Sequence, residues 1–470
     1  MTNGSVAESP AGDRFVIIDR HEPVPETRES IPVPTHAELL ARHQAALPDW
    51  LALFYEEPIS LVSGKGRHVT DAEGRRYLDF FGGILTTMTG YAVPEVVEAI
   101  REQAGRMIHT STLYLVEPMI ELAEKVGALS GIPDAKVFFT TSGSEANEAA
   151  LLLASTVRRS NQVLAFRNSY HGRSFATMGV TGNRGWSASS LSPFAVSYVH
   201  NGDTFRSPFR HLSGQAFIDA IVEDLRHVLA TTTAGDVACM IAEPIQGVGG
   251  FTVPPDGLLG ALQEVCREHD ILWITDEVQT GWGRTGEHFW GYQAHGVEPD
   301  LLTFAKGLGN GLAMAGVVAG APLMDSIQAN SISTFGGNPL VCAGSLANLR
   351  YLLDHELQAN ALRQGERLLA SLRPLLDTVA AVGDVRGRGL MIGVELVGPD
   401  GRTPDPVAAG VVLEACRAAG LLIGKGGLYG NCLRIAPPMS LTDDECAEGA
   451  AILVDVLREL PAAVTHGGLT

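Results

Sequence analysis

From Val137 onward, five short apolar runs (VFFTT, QVLAF, CMIAEP, LWITDE and LLTFAK) alternate with longer stretches whose apolar residues recur at helical spacing. Strand-sized runs separated by helices predict a mostly parallel sheet wrapped by helices, an α/β architecture. Each run ends in polar or reactive residues, and ligands of open parallel sheets gather at the carboxyl ends of the strands. Downstream of about Ser345 come Leu/Ala-rich helical patterns, then VRGRGLMIGVEL as a turn and strand, then a last helix from Asp443 to about Leu457. These predict a second, smaller domain. The first thirty-odd residues are rich in Pro, Glu and Ser and read as a tail or arm, while the polar stretch from Asn183 to Gln215 reads as a surface loop. The predicted division is an arm over residues 1–35, the N-terminal part of a small domain over 36–85, a large domain over 86–344 and the rest of the small domain over 345–470.

Composition narrows the function classes. A chain of 470 residues, 45% hydrophobic and 19% charged, has ample length for a large core and fits a folded globular enzyme better than a disordered chain. Its apolar runs are too short for a bilayer, so no membrane partner is expected. A formal net charge of −19 disfavours nucleic acid and anionic lipid but leaves room for a local basic pocket that binds a small anion. The six cysteines lack paired spacing, which argues against a metal site or a disulfide framework. With no secretory pattern at the N-terminus, the cytoplasm is the expected compartment.

Only five of the 34 basic residues are lysines, so each can be weighed for a reactive amine. Lys65 sits in a Gly-Lys-Gly turn, Lys125 follows Glu121 at ion-pair spacing, and Lys136 stands at the start of its strand. Lys425, in a glycine-rich turn, is a competitor that no strongly apolar strand delivers. Lys306 closes LLTFA and opens GLGNG, where apolar walls favour the neutral amine that Schiff-base chemistry needs. An ordinary strand-end lysine is the alternative.

Neighbouring motifs sharpen the choice. Asp276 ends LWIT and is placed to meet a cationic ring nitrogen, which keeps a pyridine protonated and able to accept electrons; taken alone, it reads more simply as a helix N-cap. In TTSGSEANEAALLLA a strand meets a helix through Ser142, Gly143 and Ser144, offering amides and hydroxyls to a phosphate, although a capped helix without a ligand looks similar. The GLGNG run lacks the context of a dinucleotide fingerprint and the Walker lysine. Tyr170 and His171 of NSYHG follow QVLAF, where an aromatic ring could cover a flat cofactor or simply fill the core. A lysine, a carboxylate, a phosphate cradle and an aromatic plate on successive strand ends make one candidate site.

In chain order, YLDFFGGI, TTSGSEANEAA, YHGRS, AEPIQGVGGF, ITDEVQTGWGRTG, FAKGLGNG, STFGGNP, VRGRGLMIGVEL and LRIAPP resemble the class III aminotransferases, within the fold-type-I pyridoxal-phosphate enzymes. The resemblance implies a large domain with a mostly parallel sheet flanked by helices plus a smaller α+β domain, and pyridoxal 5'-phosphate as cofactor. It implies that Lys306 bonds the cofactor aldehyde, Asp276 binds the pyridine nitrogen, Tyr170 stacks on the ring and Ser142, Gly143 and Ser144 hold the phosphate. Gln279 is then expected near the phenolic oxygen, Val278 on the other ring face, Glu243 and His171 close by, and Thr334 at the phosphate of a second subunit, within a homodimer or a dimer of dimers. Arg434 resembles the arginine that clasps a substrate carboxylate.

Two departures bear on substrate. Relatives acting on ornithine or 4-aminobutyrate often carry EPIQGEGG or EPIQGEAG, whose second glutamate can mask the arginine; here that position is Val248. The segments EPIQGVGG, HFWGYQAHGVEPD and VGDVRGRGLMIG are most similar to class III alanine–glyoxylate aminotransferases. The resemblance therefore implies a ping-pong transfer from an alanine-like donor to glyoxylate or pyruvate, with a 4-aminobutyrate or other omega-amino acid transaminase using 2-oxoglutarate as the alternative. The second departure is Gly90-Tyr91, where many relatives have Gly-His.

Overall fold

The structure, a computed structural model, describes residues 34–51 and 53–460. Most of the expected arm, residues 1–33, lies outside that range. The chain divides between Leu53 and Phe54. Before the division, helix His36–Ala46 is capped by Thr35, whose hydroxyl accepts from the amide of Glu38 while the Glu38 carboxylate accepts from Thr35.

The larger unit is built on a seven-stranded sheet. Its strands are β1 (Ala135–Thr140), β2 (Gln162–Phe166), β3 (Ala195–Val199), β4 (Cys239–Ala242), β5 (Leu272–Asp276), β6 (Leu301–Phe304) and β7 (Ala315–Gly320). The spatial order is β1-β7-β6-β5-β4-β2-β3. From β6 through β3 all neighbours are parallel, and β7 runs antiparallel to both β6 and β1. The five expected runs are β1, β2, β4, β5 and β6. Strands β4 and β6 are buried at every residue, as a sheet covered on both faces requires, which is why they read as unbroken apolar runs.

Two strands of this sheet and part of a hairpin outside it are among the strands that escaped the sequence reading. β3 lies inside the stretch expected to be a surface loop; AVSYV is a half-exposed edge strand with weak patterning. β7 is the small-residue run AGVVAG. VRGRGLMIGVEL forms two strands, Val382–Arg388 and Met391–Leu396, rather than a turn and one strand. Its charges hide the first strand from a hydrophobicity reading, yet Arg386 is satisfied there by Asp384 and Glu395.

Two four-stranded sheets complete the unit. One joins Leu61–Lys65, His68–Asp71 and Arg76–Asp79 to Leu421–Leu422, so the start and end of the chain share a sheet. The other, antiparallel throughout, orders Val382–Arg388, Met391–Leu396, Cys432–Ile435 and Gly424–Gly426. The last helix among the described residues, Asp443–Arg458, starts from a Thr442–Glu445 capping box. All six cysteines are buried and unpaired. Among the described residues no helix is long and apolar enough to cross a membrane.

Candidate active site

The carboxyl ends of β1, β2, β4, β5 and β6 converge on a cavity lined by Ser142, Gly143 and Ser144, Tyr170 and His171, Glu243, Asp276, Val278, Gln279 and Lys306, together with Asn147 and Gly172. Every candidate drawn from the sequence thus lines one cavity, except Arg434 and Thr334. Arg434 reaches it through Gln279, whose Oε1 accepts from the guanidinium at 2.9 Å. Thr334 is exposed and lies outside the lining of this chain's cavity.

Lys306 is the first residue of a 3₁₀ turn, Lys306–Gly309, directly after β6. Its backbone is left-handed, with φ of 46°, a strained conformation for a non-glycine residue. The turn is tied down by Asn348, whose Nδ2 donates to the carbonyls of Gly307 and Leu308 at 3.0 and 2.9 Å. Burial lowers the amine's pKa to about 8; Asp276 and Glu243 oppose that shift and Arg434 adds to it. A neutral, nucleophilic amine is therefore within reach near physiological pH. The other lysines behave differently: Lys125 pairs with Glu121 at 3.7 Å, Lys136 lies within β1 and pairs with Asp325, and Lys65 and Lys425 close or occupy strands of the small sheets.

Asp276 ends β5 with its carboxylate buried and oriented by three donors. Oδ2 accepts from Asn147 Nδ2 and pairs with His171 Nδ1, both at 2.8 Å, and Oδ1 accepts from the amide of Val278 at 3.1 Å. Asn147 is in turn fixed by Thr303 of β6, whose hydroxyl donates to its Oδ1 at 2.6 Å, and it donates to the carbonyl of His171. The sequence reading missed Asn147. The available signal was a poor helix former at the centre of TTSGSEANEAA, three residues after Ser144 and hence on the same helical face.

Ser142 is the N-cap of helix Gly143–Arg158, its hydroxyl accepting from the amide of Glu145. Ser142, Gly143 and Ser144 line the cavity, so the positive end of the helix faces it. Ser144 Oγ accepts from the amide of Arg173, which draws the YHGRS loop against this helix. Gly172, at φ of 144°, permits the approach: a side chain there would lie 2.5 Å from Ser144 Oγ. Glu243 ends its run beside β4 and accepts from the amides of Tyr170 and Gly247 at 2.9 and 2.8 Å; burial raises its pKa to about 7. Trp186 packs edge-on against Tyr170, with ring centres 5.4 Å apart.

Two buried polar atoms, His171 Nε2 and Arg434 Nε, have no hydrogen-bond partner among the described residues. A helix N-terminus free to take an anion, an oriented carboxylate, a desolvated lysine and an aromatic side chain fit a phosphorylated, cationic aldehyde ring. The side chains lining this cavity are chemically compatible with pyridoxal phosphate.

The comparisons agree. The family model described as "Aminotransferase class-III" matches residues 55–457. The chain is 36% identical over 444 residues to human mitochondrial alanine–glyoxylate aminotransferase 2, covering 90% of this chain and 86% of that one. It is 38% identical over 431 residues to the 5-aminovalerate aminotransferase of Pseudomonas putida, covering 91% and 99%. Among solved structures it resembles an (S)-enantioselective omega-transaminase from Thermomicrobium roseum, with a TM-score of 0.82 and 33% identity over 90% of this chain and 100% of that one. A fold, a site chemistry and a sequence match of this extent make the chain a member of the class III aminotransferases, enzymes that depend on pyridoxal phosphate.

Proposed function

We propose that this aminotransferase carries an amino group from a small, alanine-like amino acid to glyoxylate or pyruvate in a ping-pong cycle. The surroundings of Arg434 carry the reading. The position from which a second glutamate could mask it is Val248, which is buried, and the Arg434 guanidinium donates to the neutral Gln279. With no carboxylate hydrogen-bonded to it among the described residues, the guanidinium stays available to the carboxylates of both donor and acceptor. The similarity to human alanine–glyoxylate aminotransferase 2 supports this reading. The similarity to the 5-aminovalerate enzyme supports the alternative, a 4-aminobutyrate or other omega-amino acid transaminase using 2-oxoglutarate.

Bound pyridoxal phosphate supplies an aldehyde carbon for covalent attachment and a cationic ring that accepts electrons. In our reading Ser142, Gly143 and Ser144 hold its phosphate, Asp276 its ring nitrogen and Gln279 its phenolic oxygen. Tyr170 and Val278 cover the two ring faces, and His171 and Glu243 support Asp276 and Tyr170. Lys306 provides the amine for attachment; once the donor substrate displaces it, Nζ takes the proton from the substrate's alpha carbon. Arg434 orients that carbon by fixing the carboxylate.

Thr334, exposed in one chain, serves the phosphate site of a second copy in a homodimer or dimer of dimers. The exposed apolar run Leu113, Tyr114 and Leu115 supports such an assembly. A cytoplasmic location completes the proposal. The deciding experiment is a panel of amino donors against glyoxylate, pyruvate and 2-oxoglutarate. Alanine with glyoxylate, or another small amino acid with pyruvate, is expected to give the highest kcat/KM; strong 4-aminobutyrate activity with none toward alanine rejects the reading.

A further inference from the structure

The guanidinium of Arg434 contacts two aromatic rings: its carbon is 5.3 Å from the ring centre of Phe81 and 4.6 Å from that of Phe251. Both contacts engage the cation through an aromatic π cloud. Both residues are anchored. Phe251 is fully buried in a small cluster with Leu85, Ile245, Met391 and Ala436. Phe81 is tethered through its backbone, because buried Asp79 accepts from the amides of Phe81 and Gly82 at 2.8 and 3.0 Å. Tyr91 holds Asp79 from the other side, its hydroxyl donating to Oδ2 at 2.6 Å.

The chain then makes four consecutive left-handed residues, Gly82, Gly83, Ile84 and Leu85, with φ of 54°, 57°, 63° and 61°. Such a turn is costly for Ile84 and Leu85 and persists only where surrounding contacts enforce it. One further bond, from the Ala436 amide to the Phe80 carbonyl at 2.7 Å, joins this turn to the strand that carries Arg434.

We infer that Phe81 and Phe251 are positioning residues that lock Arg434 with its in-plane N–H groups toward the substrate carboxylate, so that the site is selective against amines lacking a carboxylate. A guanidinium takes a carboxylate along its edge, and rings against it restrict how that edge can turn. An unclamped arginine can swing aside to admit an apolar substituent; this one must break two ring contacts and its bond to Gln279. The inference rests on the reading of Arg434 as the carboxylate site. It also gives Tyr91 a purpose: through Asp79 it secures the Phe81 side of the clamp.

The test uses the holoenzyme and propionate, which carries a carboxylate but no amino or oxo group to react. Its dissociation constant is read from the change it causes in cofactor absorbance, alongside relative activity toward alanine and 1-phenylethylamine. Phe251→Leu and Phe81→Leu are each expected to weaken propionate binding about tenfold and to raise the ratio of 1-phenylethylamine to alanine activity. Phe251→Tyr, which keeps a ring, is expected to bind propionate as the parent does. If Arg434→Lys weakens propionate binding while both leucine variants bind it normally, the clamp is overturned and the carboxylate site stands. Equal weakening by Phe251→Leu and Phe251→Tyr also overturns the clamp. If Arg434→Lys leaves propionate affinity unchanged, the carboxylate reading fails and the inference falls with it.

Discussion

Asn147 offers a direct test of how the candidate site is held. Asn147→Ala deletes the bond to the Asp276 carboxylate and the bond to the His171 carbonyl, and it leaves the Thr303 hydroxyl, inside the sheet, without its acceptor. A bond to a charged group contributes about 1.5–3 kcal/mol, a neutral one about 1 kcal/mol, and a stranded buried hydroxyl adds a similar cost. A total of about 3–5 kcal/mol follows. With an unfolding entropy of about 2.1 cal/mol/K per residue, a chain of this length loses about 1 °C of Tm per kcal/mol, so the apoprotein should melt about 3–5 °C lower. Thr303→Val removes only the outermost bond and leaves the buried Asn147 Oδ1 without its donor, so it should cost about 2 °C. In the Asn147→Ala protein Asp276 keeps only His171 on Oδ2, and its looser carboxylate should lower kcat about tenfold to a hundredfold with little change in the donor KM. Calorimetric melting of the apoprotein and steady-state kinetics measure the two effects separately. An Asn147→Ala protein with unchanged Tm and unchanged kcat would refute the assigned geometry.

Reconstitution of the apoprotein with pyridoxal phosphate should quicken about tenfold per pH unit below pH 8 and level off above it, because only the neutral Lys306 amine attacks. A plateau reached only above pH 10 would show an unperturbed lysine, and Lys306→Ala should show no covalent attachment at any pH. The same shift predicts the apoprotein's dependence of stability on pH. Between about 8 and the ordinary value of 10.5 the unfolded chain binds more protons than the folded one, so this group's contribution to stability rises with pH across that window. Val248→Glu should place a competing carboxylate beside Arg434 and raise the KM for alanine at least tenfold while sparing 4-aminobutyrate, whose amino end carries no carboxylate; equal effects on both substrates would count against the masking argument. Thr334→Ala should weaken cofactor retention only in the assembled state, as equilibrium dialysis over a range of protein concentration can show; a loss equal at all concentrations would place Thr334 in its own chain's site.

The sequence alone carried the parallel-sheet architecture, because strands buried on both faces must be apolar throughout, and it carried the convergence of reactive residues, because each sits where such a strand stops. Lys306, Asp276 and the Ser142–Ser144 turn were legible for that reason. Half-exposed or charged strands were not: Ala195–Val199 sits at an edge, and Val382–Arg388 satisfies its arginines in part through carboxylates that folding brings near, Glu395 for Arg386 and Glu287 for Arg388. What Asn147 does was equally hidden, since a polar residue within a helix means nothing until β5 and β6 bring Asp276 and Thr303 against it. Tertiary structure likewise decided the setting of Arg434. Its ring neighbours lie 353 and 183 residues earlier in the chain, and no local pattern encodes a contact between segments so far apart in sequence.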